Sequence, residues 1–279
     1  MIINAQASLQ ARNAPLEEYV SLLASAPPHT DYKHSNRNSA RAVAMKRRSS
    51  AGKQNGQDVS QLEFFFDCSS PWTYLGFENV QAIAADFDVA VEWRPILVGG
   101  IFNTTNPSVY DSRKAPVPAK AKYMEKDLAD WALMSGLTLR FPPSVFPVNS
   151  VKAMRACIAL QHQEKLVTFA REVFRAYWAQ DLDISQDRVL HDVCLRAGVD
   201  PNWVFGVIEN PEIKNILRRN TEELVRRGGF GSPTIFVNHD DMYFGNDRLP
   251  LVRYALERAA RIACDERSPR AECDRGSSE

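Results

Sequence analysis

The sequence predicts an α/β fold in which a small sheet is interrupted by a large block of helices. Two short apolar runs, LEFFFD at 62–67 and VAVEWRPIL at 89–97, have the composition of buried strands. A second pair of strand-like runs, TIFVN at 234–238 and DMYFG at 241–245, comes only near the end of the chain. Between the two pairs, from about Pro118 to Arg227, the apolar spacing is helical.

The first two strands and the helical stretch between them, TYLGFENVQAIAADF at 73–87, form a βαβ unit in this interpretation. Such a unit requires a parallel strand pair and a right-handed crossover. Five amphipathic segments follow, each ending at or near a glycine or a polar break: AKAKYMEKDLADWALMSG, SVKAMRACIALQHQ, KLVTFAREVFRAYWAQ, QDRVLHDVCLRAG and PEIKNILRRNTEELVRRG. DRLPLVRYALERAARIA is the closing helix. This order fits a thioredoxin-like fold with a large all-helical domain inserted in its middle.

The expected domain boundaries follow from this order and from the polar ends of the chain. Residues 61–117 and 228–264 form the thioredoxin-like domain, and residues 118–227 form the helical insertion domain. Residues 1–60 are polar, with few apolar anchors, which predicts a flexible N-terminal extension. Its basic cluster at 46–48 is interpreted as part of a solvated tail, with a targeting or nucleic-acid arm as the alternative. Residues 265–279 are expected to form a polar C-terminal tail.

Composition limits the classes of function. The 279 residues are 44% hydrophobic and 24% charged, which is enough to bury a full-sized core. Basic and acidic residues number 34 each, so the whole chain has no electrostatic reason to bind nucleic acid or an acidic membrane, and a small-molecule ligand is expected. No apolar run approaches the roughly 20 residues that span a bilayer, and no secretory signal pattern is present. We expect a cytoplasmic protein.

The cysteines and the common catalytic motifs exclude further classes. Five cysteines lie far apart and form neither a C-x-x-C pair nor metal-site spacing, so reduced thiols and no metal are expected. The sequence contains no H-E-x-x-H, G-x-S-x-G or Walker-type glycine loop. Hydrolase, metalloenzyme and nucleotide-binding functions are therefore disfavoured.

The junction of the first strand and the first helix is the most informative part of the sequence. Ser70 suits the N-cap position, and Pro71 suits the first helical position. The unpaired N–H groups and positive dipole end of a helix start favour an anion such as a thiolate. In thioredoxin folds this junction carries a C-x-x-C pair, but here residues 70–73 are S-P-W-T. The site therefore cannot exchange disulfides with a dithiol of its own.

The Ser70 hydroxyl has no base beside it in the sequence, so it is too weakly acidic to be a nucleophile. We expect it to donate a hydrogen bond to the sulfur of a thiol ligand. Charge-assisted donation, together with the helix end, lowers the pKa of that thiol from its free value of about 8.5. The alternative is that Ser70 only caps the helix.

Two further polar elements are candidates for the same site. Ser232 and Pro233 immediately precede the third strand. If the bond between them is cis, it marks a tight turn, and the exposed main chain of Ser232 can pair with an extended peptide. Asn246 or Asp247 is expected to cap the last helix, where N–H groups suit a carboxylate and the Asp247 side chain suits an ammonium. A γ-glutamyl group carries both charges. A plain turn and a plain cap are the alternatives.

These motifs together resemble the 2-hydroxychromene-2-carboxylate isomerases and kappa-class glutathione transferases, a branch of the DsbA-like thioredoxin superfamily. The similarity runs from about Leu62 to Ala263. It rests on six segments in order: FFFDCSSPWTYLGFE, RPILVGGIFN, PAKAKYMEKDL, FPVNSVKAMR, GFGSPTIFV and FGNDRL.

The resemblance implies glutathione as the cofactor, a homodimer and a role in aromatic catabolism or detoxification. It makes Ser70, rather than Ser69, the catalytic residue that contacts the sulfur, because Pro71 must follow that serine. An asparagine after the G-G-I-F segment also contacts glutathione in relatives; Asn103 and Asn106 are both candidates, and Asn106 is favoured. The implied binding residues are Ser70, Pro71, Trp72, Asn106, Ser232, Pro233, Asn246 and Asp247.

For the isomerase, the implied chemistry is reversible conjugate addition of the glutathione thiolate to an unsaturated substrate, with rotation and elimination; a transferase stops after addition or displacement. The sequence does not separate the two. Candidates for the substrate pocket are Asn149, Trp72, Trp131 and Trp178, and core packing is the favoured role of each tryptophan. Lys120 or Arg155 suits a substrate carboxylate, although an exposed helix face explains both.

Two rival functions remain at this point. The first is a DsbA-like thiol-disulfide oxidoreductase that uses Cys68, which lies two residues before Ser70; we interpret Cys68 as a structural thiol at the strand end. The second is a non-catalytic module that binds glutathione or a peptide.

Overall fold

Four short strands form a mixed sheet with the order β2-β1-β3-β4. They are β1 (Leu62–Phe66), β2 (Val91–Pro95), β3 (Thr234–Val237) and β4 (Asp241–Phe244). The computed structural model describes residues 61–265, so the expected extension at 1–60 and residues 266–279 lie outside the described residues. β1 pairs parallel with β2, as the βαβ interpretation predicts, and antiparallel with β3, which in turn pairs antiparallel with β4.

The strand register sets the position of the candidate site. Every residue of β1 is buried, as expected for a central strand with neighbours on both edges. Phe65 lies opposite Thr234 in the antiparallel pair. Because the two strands run in opposite directions, Asp67, two residues after Phe65, reaches Ser232, two residues before Thr234.

Ten α-helices surround the sheet in the described part of the chain: α1 (Pro71–Asp86), α2 (Val98–Thr104), α3 (Ser108–Lys114), α4 (Pro118–Met134), α5 (Val151–Leu160), α6 (Leu166–Phe174), α7 (Asp187–Arg196), α8 (Pro201–Val207), α9 (Pro211–Arg226) and α10 (Leu249–Asp265). A π-helical turn, Arg175–Ala179, continues α6, and a 3₁₀ turn, Asn246–Arg248, precedes α10. No helix between residues 61 and 265 is long and apolar enough to cross a bilayer.

The six longer predicted helices and the crossover helix are all present. Three short helices, α2, α3 and α8, are not among the helices that the sequence predicts. Each has seven residues, about two turns, which is too short to show a repeating apolar pattern.

Two apolar clusters join the helices to the sheet. In the first, Phe65 and Phe236 of the sheet pack against Leu224 of α9. In the second, Leu75 of α1 packs against Leu128 of α4. Helices that lie between β2 and β3 in the chain therefore bury apolar surface against the elements that carry the candidate site. The division into a sheet domain and an insertion domain stays a prediction.

Candidate active site

The turn that joins β1 to α1 is held by a buried carboxylate. Asp67 Oδ1 accepts a hydrogen bond from the Ser69 N–H at 2.9 Å, and Oδ2 accepts one from the Val98 N–H, also at 2.9 Å. Burial raises the pKa of Asp67, while these bonds and one from the Ser150 side chain act to lower it. The carboxylate ties the turn to the starts of α2 and α5.

Cys68 lies in the same turn, where two side chains hydrogen-bond its main chain. Its N–H donates to Met154 Sδ at 3.4 Å, and its carbonyl accepts from Trp178 Nε1 at 2.9 Å. Its side chain has no exposed surface, and burial, with Cys157 beside it, raises the pKa of the Cys68 thiol well above its usual value. The thiol is therefore protonated at neutral pH, which disfavours the oxidoreductase that would use it.

Ser70 is the N-cap of α1, with Pro71 at the first helical position, as predicted. Its Oγ accepts from the Thr73 N–H at 3.2 Å and donates to the Ser232 carbonyl oxygen at 3.1 Å. The Trp72 N–H makes no hydrogen bond to another described residue. The helix start thus presents a hydroxyl, a free N–H and the positive end of the α1 dipole.

The loop before β3 packs directly on this helix start. The Ser232–Pro233 peptide bond is cis. Ser232 Oγ accepts from the Asp67 N–H at 3.0 Å and lies 2.7 Å from Thr73 Oγ1. Gly76 of α1 allows the close approach, since a Cβ at that position would lie 3.1 Å from Pro233 Cγ. The two serine-proline motifs therefore meet.

A third element joins them through the main chain and contains an unsatisfied donor. The Gly245 N–H donates to the Pro233 carbonyl at 3.0 Å. The next residue, Asn246, is buried, and its Oδ1 accepts from Asn79 Nδ2 at 3.2 Å. Asn79 Nδ2 also donates to Ser135 Oγ at 2.9 Å. The Asn246 Nδ2 is buried without a hydrogen-bond partner in the described part of the chain.

The expectation that Asn246 or Asp247 caps the last helix is wrong. A 3₁₀ turn precedes α10, and neither side chain accepts a hydrogen bond from a backbone N–H of the described residues. Asn246 instead faces α1, while the exposed Asp247 carboxylate pairs with Arg248 at 2.6 Å. Asp247 is therefore accessible to a positively charged ligand group in competition with Arg248.

The geometry distinguishes the two candidate asparagines after the G-G-I-F segment. Asn106 Nδ2 donates to the Phe230 carbonyl at 3.4 Å, in the loop that leads to Ser232. Asn103 Oδ1 instead accepts from the Tyr110 hydroxyl, seven residues along the chain. The choice of Asn106 as a glutathione contact stays a prediction.

The tryptophans named for a substrate pocket have packing roles. Trp178 is fully buried, and its indole N–H fixes the Cys68 carbonyl. Trp72 and Trp131 are partly buried and pack in the apolar cluster between α1 and α4, which leaves them near the site.

Three polar residues, Asn149, Lys120 and Arg155, are the other candidates for the substrate pocket. Asn149 and Lys120 are exposed, and the Asn149 Oδ1 accepts from the Val151 N–H at the start of α5. Arg155 lies further along α5, with its Nη1 3.4 Å from Glu209 Oε1.

Three further residues of the site, Asp67, Thr73 and Asn79, are not among those that the sequence predicts. Asp67 ends an apolar strand, and Thr73 occupies the last position of the S-P-W-T motif, so both have a local signal. Asn79 lies nine residues after Ser70 and has none, because its partners, Ser135 and Asn246, are distant in the chain.

Comparisons with known proteins show the family and the fold of this chain. Residues 61–257 match the family model described as a DSBA-like thioredoxin domain. The glutathione S-transferase kappa 1 of Homo sapiens is 31% identical over 211 residues, which cover 70% of this chain and 90% of that protein. The 2-hydroxychromene-2-carboxylate isomerase of Sphingobium xenophagum is 27% identical, covering 70% and 97%. A solved 2-hydroxychromene-2-carboxylate isomerase structure aligns with a TM-score of 0.63 at 23% identity, over 74% of this chain and 99% of that one. The predicted thioredoxin-like fold is confirmed.

Proposed function

The chain belongs to the DsbA-like thioredoxin family, alongside kappa-class glutathione transferases and 2-hydroxychromene-2-carboxylate isomerases, and from this premise we propose that it is a glutathione-dependent isomerase or transferase. Its substrate in this proposal is a small unsaturated or aromatic molecule. The observation that carries the proposal is the Ser70 hydroxyl at the start of α1, 3.1 Å from the Ser232 carbonyl oxygen. A disulfide exchange enzyme needs a thiol at this position, whereas a hydroxyl suits a thiol that a ligand brings.

The buried donor on Asn246 supports the fit of glutathione. A buried N–H group without an acceptor costs about 1–3 kcal/mol, and a ligand carboxylate or carbonyl offers the missing acceptor. Asp247 offers a carboxylate to the ligand ammonium, which makes the pair suitable for a γ-glutamyl group. We propose as glutathione-binding residues Ser70, Pro71, Trp72, Asn106, Ser232, Pro233, Asn246 and Asp247.

Bound glutathione supplies the thiolate nucleophile in this mechanism. Ser70 has a single hydroxyl proton, which it donates to the Ser232 carbonyl in the structure. The same proton is in position to turn toward a sulfur anion at the helix start, where the Trp72 N–H and the α1 dipole also favour negative charge. Ser70 thus acts as a hydrogen-bond donor and not as a base or nucleophile.

The remaining parts of the proposal rest on similarity to the relatives. The proposal includes a homodimer and a role in aromatic catabolism or detoxification. It also places the second substrate near α1 and α4.

Calorimetric titration with glutathione tests the proposal. We expect binding in the micromolar to low-millimolar range by the wild-type protein. Ser70→Ala removes a charge-assisted hydrogen bond of about 1.5–3 kcal/mol, so turnover with 1-chloro-2,4-dinitrobenzene or an aromatic pyruvate should fall roughly ten- to hundredfold. The acid limb of the pH–rate profile should move toward the free-thiol pKa of about 8.5.

Ser69→Ala is the matched control, because the Ser69 side chain bonds Asp67 rather than Ser232. It should retain most of the activity. Equal losses in the two variants, or no glutathione binding by the wild type, would contradict the proposal; binding without turnover would favour a non-catalytic module.

A further inference from the structure

A groove with a volume of about 470 Å³ lies between α2, α5 and α9, and the proposed function makes no use of it. Its apolar walls include Leu97 before α2, Val151 on α5, and Leu217 and Val225 on α9. These side chains are all aliphatic. A groove lined by aliphatic side chains suits an alkyl chain better than an aromatic ring, because an aromatic ring gains from aromatic neighbours.

Helix α9 gives the groove its length and its charge. The residues on its groove wall repeat every four positions, and so do those of the ridge beside it. The wall consists of Leu217, Thr221 and Val225, and the ridge consists of Lys214, Arg218, Glu222 and Arg226. From Lys214 to Arg226 the helix rises about 18 Å, so the groove is elongated.

The ridge carries more positive charge than the neighbouring acids neutralise. Glu209 is shared between Lys214, at 2.7 Å, and Arg155 on the opposite wall, at 3.4 Å. Arg218 lies 3.9 Å from Glu222. Arg226 forms no ion pair within residues 61–265. The mouth of the groove therefore has an unneutralised positive potential.

The groove is separate from the Ser70 site. Val98 and Ser150, which directly follow and precede groove residues in the chain, both hydrogen-bond Asp67. Asp67 is only 1% exposed, so its side chain and the turn it holds form a wall between the two.

We propose that this groove is a second ligand site, which binds an aliphatic chain that ends in a carboxylate. The apolar wall takes the chain, and the cationic ridge holds the head group at the mouth. The site does not depend on glutathione binding.

Calorimetric titration with sodium dodecanoate tests the site, with dodecyltrimethylammonium as a ligand of equal chain length and opposite charge. We expect dodecanoate to bind at least tenfold more tightly than the ammonium compound. The double variant Arg218→Glu/Arg226→Glu should weaken dodecanoate binding tenfold or more. Arg219→Glu is the control, because Arg219 lies on α9 and does not line the groove.

Hydrogen exchange locates the ligand independently of activity. Dodecanoate should protect peptides from α2 and α9, and the charge-reversal variant should keep wild-type glutathione affinity. Protection confined to residues 67–76, equal binding of both amphiphiles, or unchanged affinity in the double variant would overturn the proposal. So would loss of a dimer in that variant without dodecanoate binding to the wild type, because the groove would then be a subunit contact.

Discussion

At the scale of single residues, two close neighbours, Cys68 and Ser70, have opposite environments. Cys68 has no exposed surface, and its N–H and carbonyl are both satisfied by side chains of the helical region. Ser70 is partly exposed at a helix start, beside an unpaired N–H. Burial, rather than position in the sequence, therefore decides which of the two takes part in thiol chemistry.

Cys68 should resist alkylation in the native protein. Its raised pKa keeps the thiol protonated as the pH increases to 8, and the thiolate is the reactive form. Peptide mapping after iodoacetamide treatment should show unmodified Cys68 in the native state and rapid modification in urea. Cys194, whose pKa burial raises to about 11, should behave similarly. Native Cys68 reacting as fast as the unfolded chain would reopen the oxidoreductase interpretation.

Asn79 is expected to position Asn246. Its amide donates to the Asn246 oxygen and so holds the side chain that carries the unpaired nitrogen. Asn79→Ala should weaken glutathione binding about three- to tenfold, the worth of one ordinary hydrogen bond. Ser135→Ala removes the other Asn79 partner and is the control, with affinity near wild type in calorimetry. Equal losses in the two variants would indicate a general structural effect.

At the scale of elements, the site is assembled by strand register and close packing. The antiparallel pairing of β1 and β3 places the end of one strand beside the start of the other. Gly76 of α1 lies close to Phe64 of β1 and to Pro233, which precedes β3. Gly76 permits that contact because it has no side chain facing Pro233. The helix start and the loop before β3 can therefore share hydrogen bonds.

Gly76→Ala should reduce stability even though alanine favours helices. Its methyl group would lie 3.1 Å from Pro233 Cγ, and such overpacking costs about 1–3 kcal/mol. Urea denaturation should show the loss, together with weaker glutathione binding. Gly99→Ala is the matched control: it lies in α2 with no atom within 4 Å of the added Cβ and should be neutral or stabilising by up to about 1 kcal/mol. A stable Gly76→Ala protein with unchanged affinity would show that the contact relaxes freely.

At the scale of the whole molecule, 34 basic and 34 acidic residues give a net charge of zero. Some of these charged side chains form a buried ionic cluster. Glu63, near the start of β1, accepts two hydrogen bonds from Arg227, at 2.8 and 2.9 Å, and lies 3.6 Å from Arg94. Glu223 of α9 pairs with both arginines. The cluster joins the sheet to α9.

Glu63→Ala should lower the free energy of unfolding by about 1–3 kcal/mol, because Arg94 and Arg227 lose a buried carboxylate partner while each keeps Glu223. Glu92→Ala removes an exposed partner of Arg94 and should cost less than about 1 kcal/mol. Chemical denaturation measures both changes. If the two variants were equally stable, the cluster would contribute little to the attachment of α9.

The sequence by itself determined the features that depend on neighbours in the chain. Strand composition and apolar periodicity are local, so they located all four strands and the longer helices. The cap formed by Ser70 and Pro71 is local as well, since its geometry is set within one helical turn.

Only the tertiary structure decided which of these local features meet. The environment of Asn246, the burial of Cys68 and the groove on α9 depend on contacts between residues far apart in the chain. A helix cap is predictable because it satisfies its own backbone, whereas an unpaired buried donor or an open groove exists only after the elements have packed. The physical reason is that hydrogen-bond partners and solvent exposure are properties of the assembled fold and not of any segment.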